Sequence, residues 1–412
     1  MASNLKIGLF GFGCVGQGLY HVLNNSKGFT ADIVKIAVKD KSKRRPLDEK
    51  LFTFDKHEIL DNPEINLIVE LIDDADEAFQ IVSYALKKGK HVVTANKKMV
   101  AEHLKELFDL QHENNVSLLY EASSCGSIPI IRTLEEYFDN EQIAKLSGIF
   151  NGTTNYILTK TIAEKLSYQQ ALTEAQEKGF AESDPTNDVE GYDAKFKAVI
   201  LALHSLGVFA PSDEVLNIGI STLGDDDIKY AYEKGLKIKL VPTVKRLPNN
   251  KAAIFVLPKF IPIDNHLFYV DNEFNGVIID GEFSGEQFLK GRGAGGHPTG
   301  AAVLSDISAL SYGYKYEYKK HTQNSEIEFT NDISIKVYLR YNSDEDVKKI
   351  KFNSIQEQYT GGNYHYIVGE IELNNLISNK DYITKNKLFV AAIGDEIKLS
   401  VKATIKELEE VA

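Results

Sequence analysis

Residues 7–18 read Ile-Gly-Leu-Phe-Gly-Phe-Gly-Cys-Val-Gly-Gln-Gly, a short apolar run that breaks into G-x-G-x-x-G. A buried strand, a glycine turn and a helix start in immediate succession open a doubly wound parallel sheet that binds a dinucleotide. Gly11 permits the tight turn. Gly13 lets the backbone approach a pyrophosphate, and Gly16 lets the helix lie close on the strand. The first N–H groups of the helix have no partner within it and favour an anion. Gly11, Phe12, Gly13, Cys14, Val15 and Gly16 are therefore candidate cofactor contacts.

The next stretch of chain repeats the same alternation. Apolar runs at 33–38, 67–72, 91–94 and 116–121 predict buried strands. Helical spacing over Val15–Asn24, Glu77–Lys88 and Glu102–Asn114 predicts the helices between them. Alternating strands and helices imply a parallel sheet covered on both faces. From 151 to 207 the pattern turns helical, over Asn155–Leu166, Tyr168–Lys178 and Ala194–Leu206. Strand-like runs follow at Ile238–Val241, Ala252–Leu257 and Gly276–Ile279, then a helix over Ala301–Tyr312. The polar Lys319–Asn324 is a predicted linker.

With 412 residues, the chain has room for two or three domains and a large core. Its net charge of −12 argues against a nucleic-acid binder, which needs a basic face. No window is long and apolar enough for a membrane span, and no signal-peptide core precedes the glycine motif. Two cysteines, Cys14 and Cys125, make no disulfide framework and lack ligand-spaced partners for zinc. The expected location is the cytoplasm.

The second predicted strand ends in Lys39-Asp40-Lys41-Ser42-Lys43-Arg44-Arg45. Asp40 stands 24 residues after Gly16, near where an acidic residue bonds a ribose 2′-hydroxyl. Five cations in the same turn suit a 2′-phosphate instead. Lys39 and Asp40 are both candidate contacts, and the cations favour NADP(H), with NAD(H) also usable.

Three further blocks carry the chemistry. His-Val-Val-Thr94-Ala-Asn96-Lys97 is a strand ending in a polar turn, where ligands of open parallel sheets bind. Glu121-Ala-Ser-Ser124-Cys-Gly126-Ser-Ile128-Pro129 follows another strand. Asn151-Gly-Thr-Thr-Asn-Tyr-Ile-Leu and the block from Ala181 to Lys197 then bring Glu182, Asp188, Asp193 and Lys197 together in sequence. Asp193 and Lys197 are four apart and share one helix face. The apolar residues after Lys197 predict a mostly buried helix, where a lysine beside a carboxylate suits proton transfer.

These blocks, with Gly293-Ala-Gly-Gly-His-Pro-Thr299, resemble homoserine dehydrogenase over about residues 5–312. The resemblance implies interconversion of L-homoserine and L-aspartate 4-semialdehyde with NAD(P), on the route to threonine and methionine. It implies Lys197 as proton donor and acceptor, and Lys97 beside nicotinamide and substrate. It implies Glu182 on the substrate ammonium, with Asp188 and Asp193 lining the site, and Thr94, Gly295 and Gly296 near the cofactor. It further implies a sodium ion held by Glu121, Ser124, Gly126 and Ile128, partly through carbonyls. The alternative for Glu121 is a carboxylate that caps a backbone turn. A homodimer or homotetramer is expected, with no nucleic acid or membrane partner.

Two departures from the family pattern stand out. Asp73-Asp74 replaces a pair of glycines after the strand at 67–72, which bears on cofactor preference. Ser123-Ser124-Cys125 replaces a more apolar version of the sodium loop. The expected architecture is α/β: a Rossmann-type domain of residues 1–147 and 298–320, a mixed α/β substrate and dimerisation domain of 148–297, and an ACT-like α+β segment of 328–412. The rivals are an enzyme for another amino-acid semialdehyde and a catalytically silent nucleotide sensor. Intact Lys97, Glu182, Asp193 and Lys197 weigh against both.

Overall fold

The computed structural model describes residues 5–324, 326–362 and 364–400. Its contacts divide the chain into two units, one of residues up to 139 with 291–319, the other of 140–290 with 320 onward. The first unit runs β1 (Lys6–Phe10), α1 (Cys14–Asn25), β2 (Asp32–Ala37), β3 (Phe52–Thr53), α2 (His57–Leu60), β4 (Leu67–Glu70), α3 (Ala75–Lys87), β5 (His91–Thr94), α4 (Lys97–Glu102), α5 (Leu104–Asn114), β6 (Leu118–Leu119) and the single turn α6 (Ile130–Arg132).

Its sheet has the order β3-β2-β1-β4-β5-β6, with every pairing parallel. The order reverses between β1 and β4, which is where a doubly wound sheet opens a crevice for a dinucleotide. Ile7, Leu9, Leu67, Ile68, Val69, Val92 and Val93 are all buried, so these strands are apolar on both faces. Gly11 has φ +91°, and a Cβ there would lie 2.5 Å from the Leu71 carbonyl oxygen. The turn after β1 thus requires glycine.

The second unit begins with β7 (Ile143–Ile149), α7 (Gly152–Ala163), α8 (Tyr168–Glu177), α9 (Thr186–Val189) and α10 (Tyr192–Leu206). It continues through β8 (Leu216–Asn217), α11 (Asp225–Glu233), β9 (Lys237–Leu247), β10 (Lys251–Ile261), β11 (Phe274–Gly281) and β12 (Gly285–Arg292). The chain then supplies α12 (Gly296–Leu310) to the first unit. There α12 packs on α1 at glycines: a Cβ on Gly18 would lie 2.0 Å from the Gly296 oxygen, and one on Gly300 2.6 Å from the Leu19 nitrogen.

The expected linker at 319–324 is instead a helix, α13 (Lys319–Gln323). Its polar side chains are used internally. Lys320 is buried and donates to the Glu141 carbonyl oxygen, and the His321 ring nitrogen lies 2.8 Å from the Gly207 carbonyl. The predicted helix at 102–114 is α5, Leu104–Asn114, and the short α4 precedes it across His103.

The remaining elements are β13 (Glu328–Phe329), β14 (Ile333–Tyr341), α14 (Asp344–Lys349), β15 (Ser354–Thr360), β16 (His365–Glu372), α15 (Leu373–Lys385) and β17 (Phe389–Leu399). From β14 onward the succession is β-α-β-β-α-β, and the strands lie β17-β14-β16-β15, a ferredoxin-like layout. This segment forms no unit of its own. β17 pairs in parallel with β10, Lys259 opposite Ala392. Among the described residues one eleven-stranded sheet therefore runs β12-β11-β7-β9-β10-β17-β14-β16-β15, with β8 and β13 also on β10. Tyr230, Phe260, Tyr338 and Tyr366 stack across the joint, with ring centroids 4.6–5.3 Å apart. No described helix is long and apolar enough to cross a membrane.

Candidate active site

In the first unit a cavity of about 260 Å³ opens beyond β1 and β2. Gly11, Phe12 and Gly13 form one wall, and Lys39, Asp40, Lys43, Arg45 and Lys56 the other. Nothing in the protein lies within 4 Å of where a Gly13 Cβ would stand, so this is open space against backbone. A Cβ on Gly296 would lie 2.8 Å from the Cys14 oxygen, so the first turns of α1 and α12 meet beside it. Two helix N-termini side by side concentrate unpaired N–H groups and positive potential. Gly295, with φ +119°, caps the second of them.

The basic turn is ordered by its own contacts. Asp40 accepts from the Ser42 nitrogen and hydroxyl at 2.8 and 2.7 Å, and these bonds hold its carboxyl below the usual range. Arg45 donates to the Asp40 carbonyl at 2.7 Å and lies over the Phe52 ring. Lys39 pairs with Glu77 at 2.8 Å and with Asp74 at 3.7 Å. Asp74 also caps α3 by accepting from the Glu77 nitrogen at 3.0 Å. The second aspartate of the departure at 73–74 therefore has a local structural use.

At the ends of β4 and β5 the sheet carries a buried polar network. Glu70 is wholly out of water. It accepts from the Ile72 nitrogen at 2.6 Å and from the Thr94 hydroxyl at 2.5 Å. Thr94 in turn accepts from the Asn96 nitrogen at 3.0 Å. Asn96 reaches back to the Ile72 carbonyl at 3.1 Å and caps α4 through the Met99 nitrogen at 3.0 Å. Lys97 is half-buried and begins α4.

The Glu121 carboxylate accepts from the Ile131 and Arg132 nitrogens, both at 2.8 Å. It thus holds the first turn of α6, and burial pushes it up to about 7. Its own nitrogen donates to the buried Asp306 at 2.9 Å. In the same loop the Ser124 hydroxyl is buried without a hydrogen-bond partner. Gly126 has φ +61°, and Ile128 is buried. Among the described residues no group of three or more His, Cys, Asp or Glu side chains could hold a metal ion. Only main-chain carbonyls and a hydroxyl are left as donors, a set that suits a hard cation.

The second unit carries the other cluster. α10 runs between two left-handed glycines, Gly191 and Gly207, and every residue from Asp193 to Leu206 is buried. Lys197 is therefore largely withdrawn from bulk water, and most of its charge must be met within the protein. It donates to Asp193 at 2.8 Å and to the Phe150 carbonyl at 2.7 Å. Asn151, which caps α7 through the Thr154 nitrogen, donates to Asp188 at 2.7 Å and to Asp193 at 2.9 Å. Asn275 donates to the same Phe150 carbonyl at 3.1 Å, and its own amide oxygen is buried without a partner. Glu182 lies on the exposed loop before α9, its carbonyl accepting from Gln176 at 3.0 Å.

Within this unit the structure brings Asp188, Asp193 and Lys197 into one network and leaves Glu182 on an exposed loop. Asn151 and Asn275 were not singled out as site residues from the sequence, and neither was Glu70. A lone carboxylate closing the apolar run Leu67-Ile-Val-Glu70 was a usable signal. Asn275 had none, since it arrives from β11, far along the chain.

A doubly wound sheet with glycine-lined helix starts and a basic pocket, in a chain that also buries a lysine–carboxylate pair, defines a dinucleotide-dependent oxidoreductase. The comparisons with known proteins name its kind. The family model for homoserine dehydrogenase matches residues 129–308, and that for the homoserine dehydrogenase NAD-binding domain matches 11–121. The homoserine dehydrogenase of Bacillus subtilis is 39% identical over 315 residues, 74% of this chain and 72% of that one. That of Helicobacter pylori is 33% identical and covers 100% of this chain and 97% of its own length. The crystal structure of a homoserine dehydrogenase from Thiobacillus denitrificans superposes with a TM-score of 0.83 at 30% identity, covering 95% of this chain and 99% of that one. A hyperthermophilic archaeal homoserine dehydrogenase in complex with NADPH gives 0.67 at 28% identity, over 76% of this chain and 99% of that one. The chain belongs to the homoserine dehydrogenase family, NAD(P)-dependent oxidoreductases that act on a CH–OH group.

Proposed function

We propose that the chain interconverts L-homoserine and L-aspartate 4-semialdehyde, favouring NADP(H), with Lys197 as the group that moves the proton. The observation that carries this reading is the buried Lys197–Asp193 pair, extended by Asn151 to Asp188. The bound dinucleotide supplies a hydride acceptor or donor at nicotinamide C4. The residues of the chain do the rest. In oxidation Lys197 acts as the neutral amine, whose Nζ takes the hydroxyl proton and becomes the ammonium. In reduction it returns that proton and offsets the negative charge growing on the carbonyl oxygen. Asp193 and the Phe150 carbonyl hold the ammonium in one orientation. Asp188 and Glu182 bind the substrate ammonium, and Lys97 acts beside nicotinamide and substrate.

For the cofactor, Gly11 to Gly16, Thr94, Gly295 and Gly296 would hold the pyrophosphate and nicotinamide portions. Lys39, Lys43 and Arg45 would meet a 2′-phosphate, and the NADPH complex of the archaeal relative supports this preference. Glu121, Ser124, Gly126 and Ile128 would hold a sodium ion, partly through their carbonyls, in a loop whose Ser124 hydroxyl has no partner. The ferredoxin-like strands from β14 to β17 would serve as an ACT-like segment. The enzyme would work in the cytoplasm as a homodimer or homotetramer, in the synthesis of threonine and methionine. Exposed Phe283, Tyr269 and Ile263 on the second unit support self-association.

The test is direct. Purified protein with homoserine and either NAD+ or NADP+ is followed by the absorbance of the reduced nicotinamide. Turnover with both, faster with NADP+, is expected. No turnover with either would overturn the reading.

A further inference from the structure

Glu70 is an expensive residue where it stands. Leu67, Ile68 and Val69 fill the rest of β4, and a fourth apolar residue would complete the strand. Burying a carboxylate instead costs several kcal/mol unless its oxygens are fully bonded. Both oxygens are used, one on the turn after β4 through Ile72 and the other on the turn after β5 through Thr94. Thr94 has one proton and gives it to Glu70, so its oxygen is left to accept from Asn96. Asn96 then closes the ring on the Ile72 carbonyl. The turn 94–97 is thereby cross-linked to its neighbour by side chains as well as by the pairing of β4 with β5.

We propose that Glu70 is a positioning residue for the reaction: through Thr94 and Asn96 it fixes the turn that carries Lys97. The inference rests on the reading that Lys97 acts at the cofactor. Glu70 touches neither reactant. Its carboxylate state matters because it must accept twice. Burial pushes Glu70 up to about 7, and the charge of Asp73 adds to that. Protonation would make one oxygen a donor. Thr94 would then have to turn its hydroxyl toward the Asn96 nitrogen, where a donor already points.

Glu70→Gln tests this, because glutamine keeps the size but cannot accept at both ends or titrate. The expected result is a roughly 10- to 100-fold loss in kcat, the range that slight misplacement of a reacting group produces. Binding of NADPH, read by its fluorescence, is expected to change far less. Wild-type kcat is expected to fall as the pH drops through about 7, and Glu70→Gln is expected to lack that limb. Thr94→Val breaks the same link from the other side, and Thr94→Ser, which keeps the hydroxyl, is expected to be more active than Thr94→Val. These two variants carry the test if Glu70→Gln does not fold. Wild-type kcat in Glu70→Gln, an unchanged acid limb, or equal activity of Thr94→Val and Thr94→Ser would overturn the proposal. Lys97→Met separates the two levels. If it is fully active, the underlying reading falls and the proposal with it. If it is inactive while Glu70→Gln is unimpaired, the proposal alone falls.

Discussion

Lys197 donates to Asp193 across one turn of α10 at 2.8 Å, with side chains only 8% and 3% exposed. Neither charge can fall back on solvent, so each depends on the other and on the Asn151 and Phe150 groups around them. Removing one partner strands the other, which is far costlier than losing a surface pair.

Lys197→Ala is therefore expected to lower kcat by roughly 10²- to 10⁴-fold, the usual worth of a positioned proton donor. Stability is expected to fall by about 3 kcal/mol, since Asp193 stays buried and loses its cationic partner. Dinucleotide binding, measured by NADPH fluorescence, should persist. Wild-type-like turnover would remove Lys197 from its role.

Asn151 does two jobs that substitution can separate. Asn151→Ser keeps an N-cap oxygen for α7 but loses the amide that bridges Asp188 and Asp193. Asn151→Ala loses both. Both variants are expected to raise KM for homoserine and lower kcat. Urea denaturation is expected to find the alanine variant less stable than the serine variant by about 1 kcal/mol from the lost cap. Unchanged kinetics in both would show that the bridge is only structural.

Lys39 is partly neutralised by Glu77, at a mostly exposed pair worth about 0.5 kcal/mol. Glu77→Gln is expected to raise kcat/KM for NADP+ by roughly two-fold over that for NAD+. Arg45→Ala should shift the ratio the other way by about ten-fold, the worth of one charge-assisted bond to phosphate. Equal ratios in all three proteins would move the 2′-phosphate site elsewhere.

A methyl group on Gly18 has no room against the Gly296 oxygen, 2.0 Å away. Gly18→Ala is expected to push α12 from α1, destabilise the protein by about 1–3 kcal/mol and weaken dinucleotide binding. Fluorescence titration and thermal melting would show both effects. Tight binding with a lowered melting temperature would mean that the paired helix starts do not hold the cofactor.

Glu70 also predicts a trend in stability with pH. Its folded pKa, about 7, lies above the ordinary 4.5, so the folded state binds the proton more tightly. Its contribution to stability is complete below about 4.5 and lost as the pH rises through about 7. Glu70→Gln lacks this loss. The difference in melting temperature should therefore move in favour of the variant as the pH rises from about 4.5 to about 7, the range that the shift spans, and level off above it. A constant difference would mean that Glu70 does not titrate there.

The parts of this molecule that were legible in its sequence are those whose physics is local. The glycine turn, the two-sided apolar strands and the shared face of Asp193 and Lys197 each follow from spacing within a few residues. What was not legible depends on distant partners. Lys319–Asn324 read as linker because its polar groups find their acceptors, the Glu141 and Gly207 carbonyls, more than a hundred residues upstream. Asn275 reaches Phe150 only because β11 pairs with β7. The strand-end role of Glu70 needed the register that sets it opposite Thr94.

The pairing of β10 with β17 has a consequence for any attempt to shorten the protein. β10 is eleven residues long, and its far edge is covered by β13 at Lys251 and Ala252, by β8 at Phe255 and Val256 and by β17 at Lys259 and Phe260. Cutting the chain after β12 and α12 would leave β8 in place but bare both ends of that edge, a template for association between copies. The final segment is thus closer to a structural seal than to a detachable appendage. A truncated enzyme is expected to precipitate, and single substitutions are the better way to ask what that segment does.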